Sequence, residues 1–181
     1  MRTYCYSRRK ILGNLVGLGS FAFAPRVLSA PTKTGSNGLS FVNLHTGESI
    51  CTEIGLKTKV LPRELQAVNH LLRDHRSGEI HPIDPALLQL LVYLQAEVGV
   101  SGSYQVISGY RSPATNSKLR AKGDGVATRS LHMQGKAVDI RLPGCQLKDL
   151  QAAAYSLKRG GVGYYPKSNF IHVDTGRVRY W

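Results

Sequence analysis

SLHMQGKAVDI, residues Ser130 to Ile140, contains a predicted strand with a carboxylate in its middle and a histidine just before it. In the strand pattern KAVDIRL, residues 136–142, Asp139 stands among alternating apolar residues. Burying a carboxylate there is costly unless it is paired or binds a cation. Gly135 permits a tight turn, so His132 can fold back towards Asp139. The stretch is therefore either a buried strand preceded by an unrelated histidine or half of a metal site.

NFIHVDTGR, residues 169–177, contains residues that could form the other half of such a metal site. On a strand, His172 and Asp174 lie on one face because side chains alternate with a period of two. Two histidines and a carboxylate form a common catalytic zinc set that leaves a fourth position for water. Asp174 would then be an additional group, which either takes a proton from that water or orients a ligand histidine. From spacing alone, packed core histidines remain the alternative.

The chain around these stretches predicts an α+β fold. Apolar periodicity, capping residues and glycines predict helices within 61–79, 84–99, 112–122 and 146–161. Asp84 and Ser112 are the expected N-caps, and Gly160 and Gly161 are expected to close the last helix. Strands are predicted in a hairpin within 39–54, at 104–108 and 136–142, and as two or three strands within 161–181. We expect a small antiparallel sheet that holds the candidate metal site and packs against several helices.

Residues 1–30 predict a twin-arginine export signal with cleavage after Ala30. Arg8 and Arg9 precede an apolar run of 14 residues, 11–24. A transmembrane anchor is the alternative, but the run is short of the roughly 20 residues that span a bilayer. Residues 31–38 read as a linker, so the folded domain is expected at 39–181.

The formal net charge of +13 predicts an anionic partner. Residues 1–30 hold five of the 24 basic residues and none of the 11 acidic ones, so 31–181 have a net charge of +8. Outside the cytoplasm, nucleic acid is an unsuitable target, and the chain shows neither an RNA-binding aromatic motif nor a basic amphipathic helix. Anionic wall polymers and lipid headgroups therefore remain as the candidate anionic partners. Cys51 and Cys145 could pair in that compartment or stay as free thiols.

Three motifs together resemble the D-Ala-D-Ala metallopeptidase superfamily of zinc peptidases that cleave peptidoglycan. They are SGYRSPATN, SLHMQGKAVDI and GGVGYYPKSNFIHVDTGRVRYW. The superfamily pattern S-x-H-x-x-G-x-A-x-D is present from Ser130 to Asp139. Within the superfamily the chain is similar to the murein endopeptidase K group, over a match from about Leu39 to Trp181.

The resemblance implies a site and a function. Zinc is expected on His132, Asp139 and His172, and Arg111 and Ser130 are expected to bind substrate. Arg111 is also expected to be catalytic, since it would lie close to the cleaved bond and help to hold the oxyanion. The implied activity is zinc-dependent hydrolysis of peptide cross-links in peptidoglycan. The expected protein is periplasmic and monomeric, without stable membrane insertion after signal cleavage and without a nucleic-acid partner.

One departure from the family pattern concerns the general base. Many members have a Glu or His shortly before the last zinc histidine, but residues 167–171 are KSNFI. Asp174 is therefore the predicted catalytic base, with a role in orienting a ligand as its alternative. The missing group also supports an alternative function, a non-catalytic peptidoglycan-binding module with the same fold.

Overall fold

The computed structural model describes residues 38–58, 60–123 and 126–181. The predicted signal peptide, residues 1–30, and residues 31–37 of the predicted linker lie outside the described residues. Within the described part of the chain, no helix has the length and apolar character needed to cross a bilayer.

Among the described residues, four α-helices and seven strands confirm the α+β class. In chain order they are β1 (Ser40–Asn43), β2 (Ser49–Cys51), α1 (Pro62–Leu71), α2 (Pro85–Val98), β3 (Ser103–Ser108), α3 (Pro113–Ala121), β4 (Ala137–Arg141), α4 (Leu147–Leu157), β5 (Gly161–Tyr165), β6 (Phe170–Asp174) and β7 (Arg179–Tyr180). Two short 3-10 helices, Leu131–Gln134 and Pro166–Ser168, precede β4 and β6.

Side-chain caps start two helices as predicted. The Asp84 carboxylate accepts a hydrogen bond of 2.9 Å from the Ala86 N–H at the start of α2. The Ser112 hydroxyl accepts one of 3.2 Å from the Thr115 N–H at the start of α3. Both helices have proline at their first position, where the missing N–H costs nothing.

Two predicted helix ends were wrong. α4 ends at Leu157, and Lys158 makes the left-handed turn with φ 50. The two glycines predicted to close α4 lie beyond it, because Gly161 already begins β5. α1 stops at Leu71, so the segment up to Gly78 forms turns rather than helix.

The strands form one sheet in the order β2-β1-β3-β4-β6-β5-β7. It differs from the expected antiparallel sheet because β1 pairs with β3, and β5 with β7, in parallel. At its centre β4 and β6 are antiparallel, with Asp139 opposite His172 and Ala137 opposite Asp174. Residues directly opposite one another point to the same face, so the pairing brings the carboxylate and the histidine together.

One face of the sheet forms the hydrophobic core with the helices. Val138 and Ile140 of β4, and Ile171 and Val173 of β6, are buried in that core. Because side chains alternate along a strand, the polar residues between them point to the opposite face. The core therefore fixes the orientation of the candidate metal ligands.

The two cysteines of the described residues, Cys51 and Cys145, are both free thiols rather than a disulfide. The sequence left open whether Cys51 and Cys145 form a disulfide or stay as free thiols, and in the structure they are free thiols.

Candidate metal centre

Three buried side chains from three elements converge on the open face of the sheet. His132 lies on the 3-10 helix before β4, Asp139 on β4 and His172 on β6. His172 Nδ1 lies 2.9 Å from Asp139 Oδ1 and 3.1 Å from His132 Nε2. His132 Nε2 lies 3.2 Å from Asp139 Oδ1. These three residues could hold a metal ion.

The triangle of ligand atoms has the size that zinc requires. Tetrahedral zinc with bonds of about 2.0–2.1 Å separates neighbouring ligand atoms by about 3.3 Å. The observed separations of 2.9, 3.1 and 3.2 Å are close to that value. Two imidazoles and one carboxylate are also a donor set that suits zinc.

Hydrogen bonds on the outer nitrogens fix the tautomers of both histidines. His132 Nδ1 donates to the carbonyl oxygen of Gly109 at 2.7 Å, which leaves Nε2 as the free nitrogen. His172 Nε2 donates to Asp174 Oδ2 at 2.9 Å, which leaves Nδ1 free. A metal-binding histidine is commonly oriented by such a partner on its other nitrogen. Both free nitrogens face Asp139.

Asp174, the predicted catalytic base, lies on the far side of the His172 ring from the triangle of candidate ligand atoms. Its side chain is fully buried. Besides His172, Oδ2 accepts from Arg179 Nη2 at 2.7 Å, and Oδ1 accepts from the N–H groups of Gly161 at 3.0 Å and Gly176 at 2.8 Å. Both oxygens are therefore occupied by hydrogen bonds from His172, Arg179 and the two backbone N–H groups. The role of Asp174, as a base or as a group that orients His172, stays a prediction.

Burial and pairing set the protonation of the site. Burial opposes ionisation of Asp139, but attraction to His132 and hydrogen bonds with both histidines hold its pKa well below the usual range. Burial likewise opposes ionisation of Asp174, but hydrogen bonds from His172 and Arg179 lower its pKa. Burial lowers the pKa of His132, whereas hydrogen bonds to two carboxylates outweigh burial and raise the pKa of His172. Because a metal binds the deprotonated nitrogen, a bound cation would compete with a proton at His172 Nδ1.

Arg111 contacts the ligand triangle directly. Its Nη2 forms an ion pair with Asp139 Oδ2, the oxygen that does not face the histidines, and its Nε donates to Ser108 Oγ at 2.8 Å. Arg111 and Ser130 both line the cavity over the triangle, which has a volume of about 730 Å³. The structure thus brings together both residues predicted to bind substrate and the three predicted ligands.

A left-handed turn at Gly135 brings His132 over β4. Gly135 has φ 65, and its carbonyl oxygen accepts a hydrogen bond of 3.0 Å from the Asp84 N–H. A Cβ atom at this position would lie 2.1 Å from the carbonyl oxygen of Pro82. Both conformation and space therefore require glycine.

We expect Gly135→Ala to lower the free energy of unfolding by roughly 3 kcal/mol, of which about 1–2 kcal/mol comes from the left-handed conformation and the rest from the clash. Gly99→Ala is the matched control, since Gly99 has φ 63 and a Cβ atom there would have no described atom within 4 Å. The control should lose only about 1–2 kcal/mol in chemical denaturation. Equal losses in the two variants would show that the contact with Pro82 does not matter.

Sequence reasoning missed Arg179 and Trp181, which come from the last strand and the residue after it. Arg179 donates a hydrogen bond to Asp174. The Trp181 ring packs against the His172 ring, with centroids 5.3 Å apart. The Trp181 Nε1–H donates to Tyr165 Oη at 2.8 Å. Gly163, paired with His172 across the sheet, leaves room for the indole, because a Cβ would lie 2.7 Å from it. A glycine inside a strand was the available signal of this close approach.

Comparisons with known proteins find relatives over nearly the whole chain. A family model described as peptidoglycan L,D-endopeptidase MepK matches residues 31–181. The peptidoglycan L,D-endopeptidase MepK of Escherichia coli K12 is 42% identical over 180 residues, 97% of each chain. The probable peptidoglycan L,D-endopeptidase MepK of Haemophilus influenzae is 41% identical over 167 residues, 92% of this chain and 90% of the relative.

A solved structure, the Serratia marcescens L-Ala D-Glu endopeptidase ChiX, overlaps 42% of this chain and 62% of that chain at 21% identity. Its TM-score of 0.35 is too low to add to the assignment. The family match and the identity to the two relatives extend over nearly the whole chain. The chain belongs to the family of peptidoglycan L,D-endopeptidase MepK, which confirms its resemblance to the murein endopeptidase K group.

Proposed function

We propose that this protein is a zinc-dependent endopeptidase that hydrolyses peptide cross-links of bacterial peptidoglycan. The observation that supports it most is the buried triangle of His132, Asp139 and His172, sized for zinc and open to a cavity. The family match and the activity for which the relatives are named support peptidoglycan as the substrate.

His132 Nε2, His172 Nδ1 and Asp139 Oδ1 would hold the zinc ion. When bound, zinc lowers the pKa of a water ligand to about 7 and polarises the peptide carbonyl. Hydrogen bonds with the rest of the chain orient the two histidine ligands towards the metal position. The Gly109 carbonyl and Asp174 each hold one imidazole in the tautomer whose free nitrogen faces the site.

Arg111 is proposed to bind the substrate beside the cleaved bond. Asp139 and Ser108 fix its guanidinium from behind, so its position is set before substrate arrives. A fixed cation at this place stabilises the negative charge that develops on the carbonyl oxygen. Ser130, in the same cavity wall, is proposed to contact the substrate backbone.

Asp174 is proposed to position His172 rather than to transfer protons. Arg179 and two backbone N–H groups hold the carboxylate in place, and the carboxylate in turn holds the ring. The contacts of Asp174 therefore serve to fix the carboxylate and, through it, the orientation of the His172 ring.

We further propose that the protein acts outside the cytoplasm, exported by residues 1–30 as a twin-arginine signal, and that it works as a monomer. The net positive charge of residues 31–181 favours contact with an anionic wall polymer. No nucleic-acid partner is proposed.

Replacing Arg111 by Gln should lower kcat/KM on cross-linked peptides by roughly 10²–10³-fold, because a donor to the developing oxyanion is lost. Arg111→Lys should recover part of the loss, since it restores charge without the fork. Zinc content at saturating zinc should stay near one per chain. Arg120→Gln, on the surface of α3, is the control. Unchanged kcat/KM in Arg111→Gln would remove Arg111 from substrate binding.

Digestion of isolated peptidoglycan by the purified, zinc-loaded protein tests the proposed function. Mass spectrometry of the products should show cross-linked dimers converted to monomers cut at a peptide bond. A protein that binds one zinc and sediments with peptidoglycan but releases no fragments would contradict the peptidase and favour the binding module.

A further inference from the structure

Two loops far apart in sequence meet at the cavity over the metal triangle. One is the hairpin turn 44–48 between β1 and β2, and the other is the turn segment 72–79 after α1. His45 of the first and Arg76 of the second line the same cavity as the candidate ligands. Neither is explained by zinc binding or by the contacts of Arg111.

Polar contacts tie the two loops together. Arg73 of the turn segment forms a two-pronged ion pair with Glu48 of the hairpin, with distances of 2.7 and 3.2 Å. Asn43 Nδ2 donates to the Leu71 carbonyl oxygen at 2.9 Å, and Asn43 Oδ1 accepts from the His45 N–H at 2.9 Å. The position of His45 is therefore fixed relative to the end of α1.

A buried carboxylate anchors the turn that presents Arg76. Asp74 is 1% exposed, and it accepts hydrogen bonds from the Ser112 N–H at 2.9 Å, from Ser112 Oγ at 2.8 Å and from the Arg76 N–H at 2.9 Å. Ser112 directly follows Arg111 in the chain. The backbone of Arg76 is thus held next to the segment that supplies a residue of the site.

The imidazoles of His45 and His75 stack face to face, with ring centroids 3.8 Å apart and planes 11° apart. Burial, together with the nearby positive charge of His45 and Arg76, lowers the pKa of His75 to about 4. His75 is therefore neutral at neutral pH and provides a flat support for the His45 ring. The His45 ring N–H remains available to an acceptor in the cavity.

The cavity wall has an excess of positive charge. Its arginines are Arg76, Arg111, Arg129 and Arg179. Arg111 and Arg179 are paired with carboxylates, whereas Arg76 and Arg129 form no ion pair with any described residue. Asp139 is the one carboxylate among the described lining residues, and Arg111 already neutralises it. An unpaired guanidinium on an anchored turn favours an anionic group of the substrate.

We propose that Arg76 and His45 form a second substrate subsite that binds a free carboxylate of the peptidoglycan stem peptide. This rests on the proposed function, because it takes the occupant of the cavity to be a cross-linked stem peptide. The guanidinium fork matches the two oxygens of a carboxylate, and the His45 ring N–H can donate one further hydrogen bond. The subsite would select peptides whose carboxylate is free over peptides in which it is amidated.

Three synthetic cross-linked peptides test the subsite. One has all carboxylates free, the second is amidated at the diaminopimelate carboxylate next to the cleaved bond, and the third is amidated at D-glutamate. The zinc-loaded wild type should prefer the free peptide to one of the amidated peptides by about tenfold or more in kcat/KM. Arg76→Gln should reduce this preference to near one while it cleaves that amidated peptide about as well as the wild type does. His45→Gln should reduce the preference several-fold.

Two arginine variants serve as controls. Arg129→Gln removes the other unpaired charge of the cavity, and Arg63→Gln removes an exposed charge on α1. Both should keep the preference. A wild type that does not discriminate, or an Arg76→Gln variant that retains the preference or loses activity equally on all three peptides, would overturn the subsite.

Binding measurements separate this proposal from the proposed function. If the zinc-loaded wild type cleaves none of the peptides, the peptidase proposal fails. Calorimetry of the metal-free proteins still tests the subsite in that case. About tenfold weaker binding of the free peptide to Arg76→Gln supports the subsite, and equal binding to both proteins overturns it.

Discussion

Replacing His132 by Ala should abolish stoichiometric zinc binding and lower kcat/KM on cross-linked peptides by at least about 10³-fold. The imidazole provides one corner of the ligand triangle, at 3.1 and 3.2 Å from the other two ligand atoms. Its loss leaves two ligands, too few to hold zinc in a three-ligand catalytic site. Metal polarisation of the carbonyl stabilises the transition state by several kcal/mol. A loss of about 4 kcal/mol of this stabilisation corresponds to a 10³-fold lower kcat/KM.

His70→Ala is the matched control, because His70 is an exposed histidine of α1 outside the metal group. It should keep zinc content and activity near those of the wild type. Metal content is measured on dialysed protein, and circular dichroism verifies that each variant is folded. A folded His132→Ala protein with one tightly bound zinc or with wild-type turnover would show that the metal is held elsewhere.

Asp174→Asn should weaken zinc binding by about 10–100-fold and lower the free energy of unfolding by about 2 kcal/mol. The amide has nearly the same shape, but its nitrogen is a donor and would face N–H groups of His172, Arg179, Gly161 or Gly176. The His172 ring then loses the partner that fixes its tautomer. Loss of such a partner typically weakens metal binding by about 10–100-fold. The stability loss is kept modest because the Arg179 side chain is partly exposed and can reach water.

The result separates positioning from general-base catalysis. If Asp174 orients His172, zinc affinity falls, and kcat at saturating zinc recovers most of its wild-type value. If it were the base, zinc affinity would be unchanged and kcat would remain low at any zinc concentration. Asp149→Asn, an exposed carboxylate in the first turn of α4, controls for loss of one negative charge.

The convergence of the candidate ligands was predictable because their sequence signals are local. Asp139 stands out as a carboxylate within an apolar strand, and the period of two places His172 and Asp174 on one face. The same period does not say which imidazole nitrogen faces the cavity. Asp174 was therefore expected beside the water, whereas the structure places it behind the ring, where the two glycine N–H groups and Arg179 hold it.

Contacts between distant segments were not predictable from patterns. The parallel pairing of β1 with β3 depends on the crossover that contains α1 and α2, and parallel pairs require such a long connection. The contact of His45 with His75 joins two turns about thirty positions apart, and each histidine alone has no distinguishing pattern. The end of α4 was misplaced because Lys158 adopts a conformation usually left to glycine.

Titration of the metal-free protein with zinc, followed by both bound metal and release of fragments from isolated peptidoglycan, tests the central claim most directly. We expect binding and fragment release to rise together and to saturate at one zinc per chain. Chelation should abolish release, and added zinc should restore it. Fragment release that persists at full strength in the metal-free protein, or saturation with zinc without any release, would contradict a zinc peptidase built on His132, Asp139 and His172.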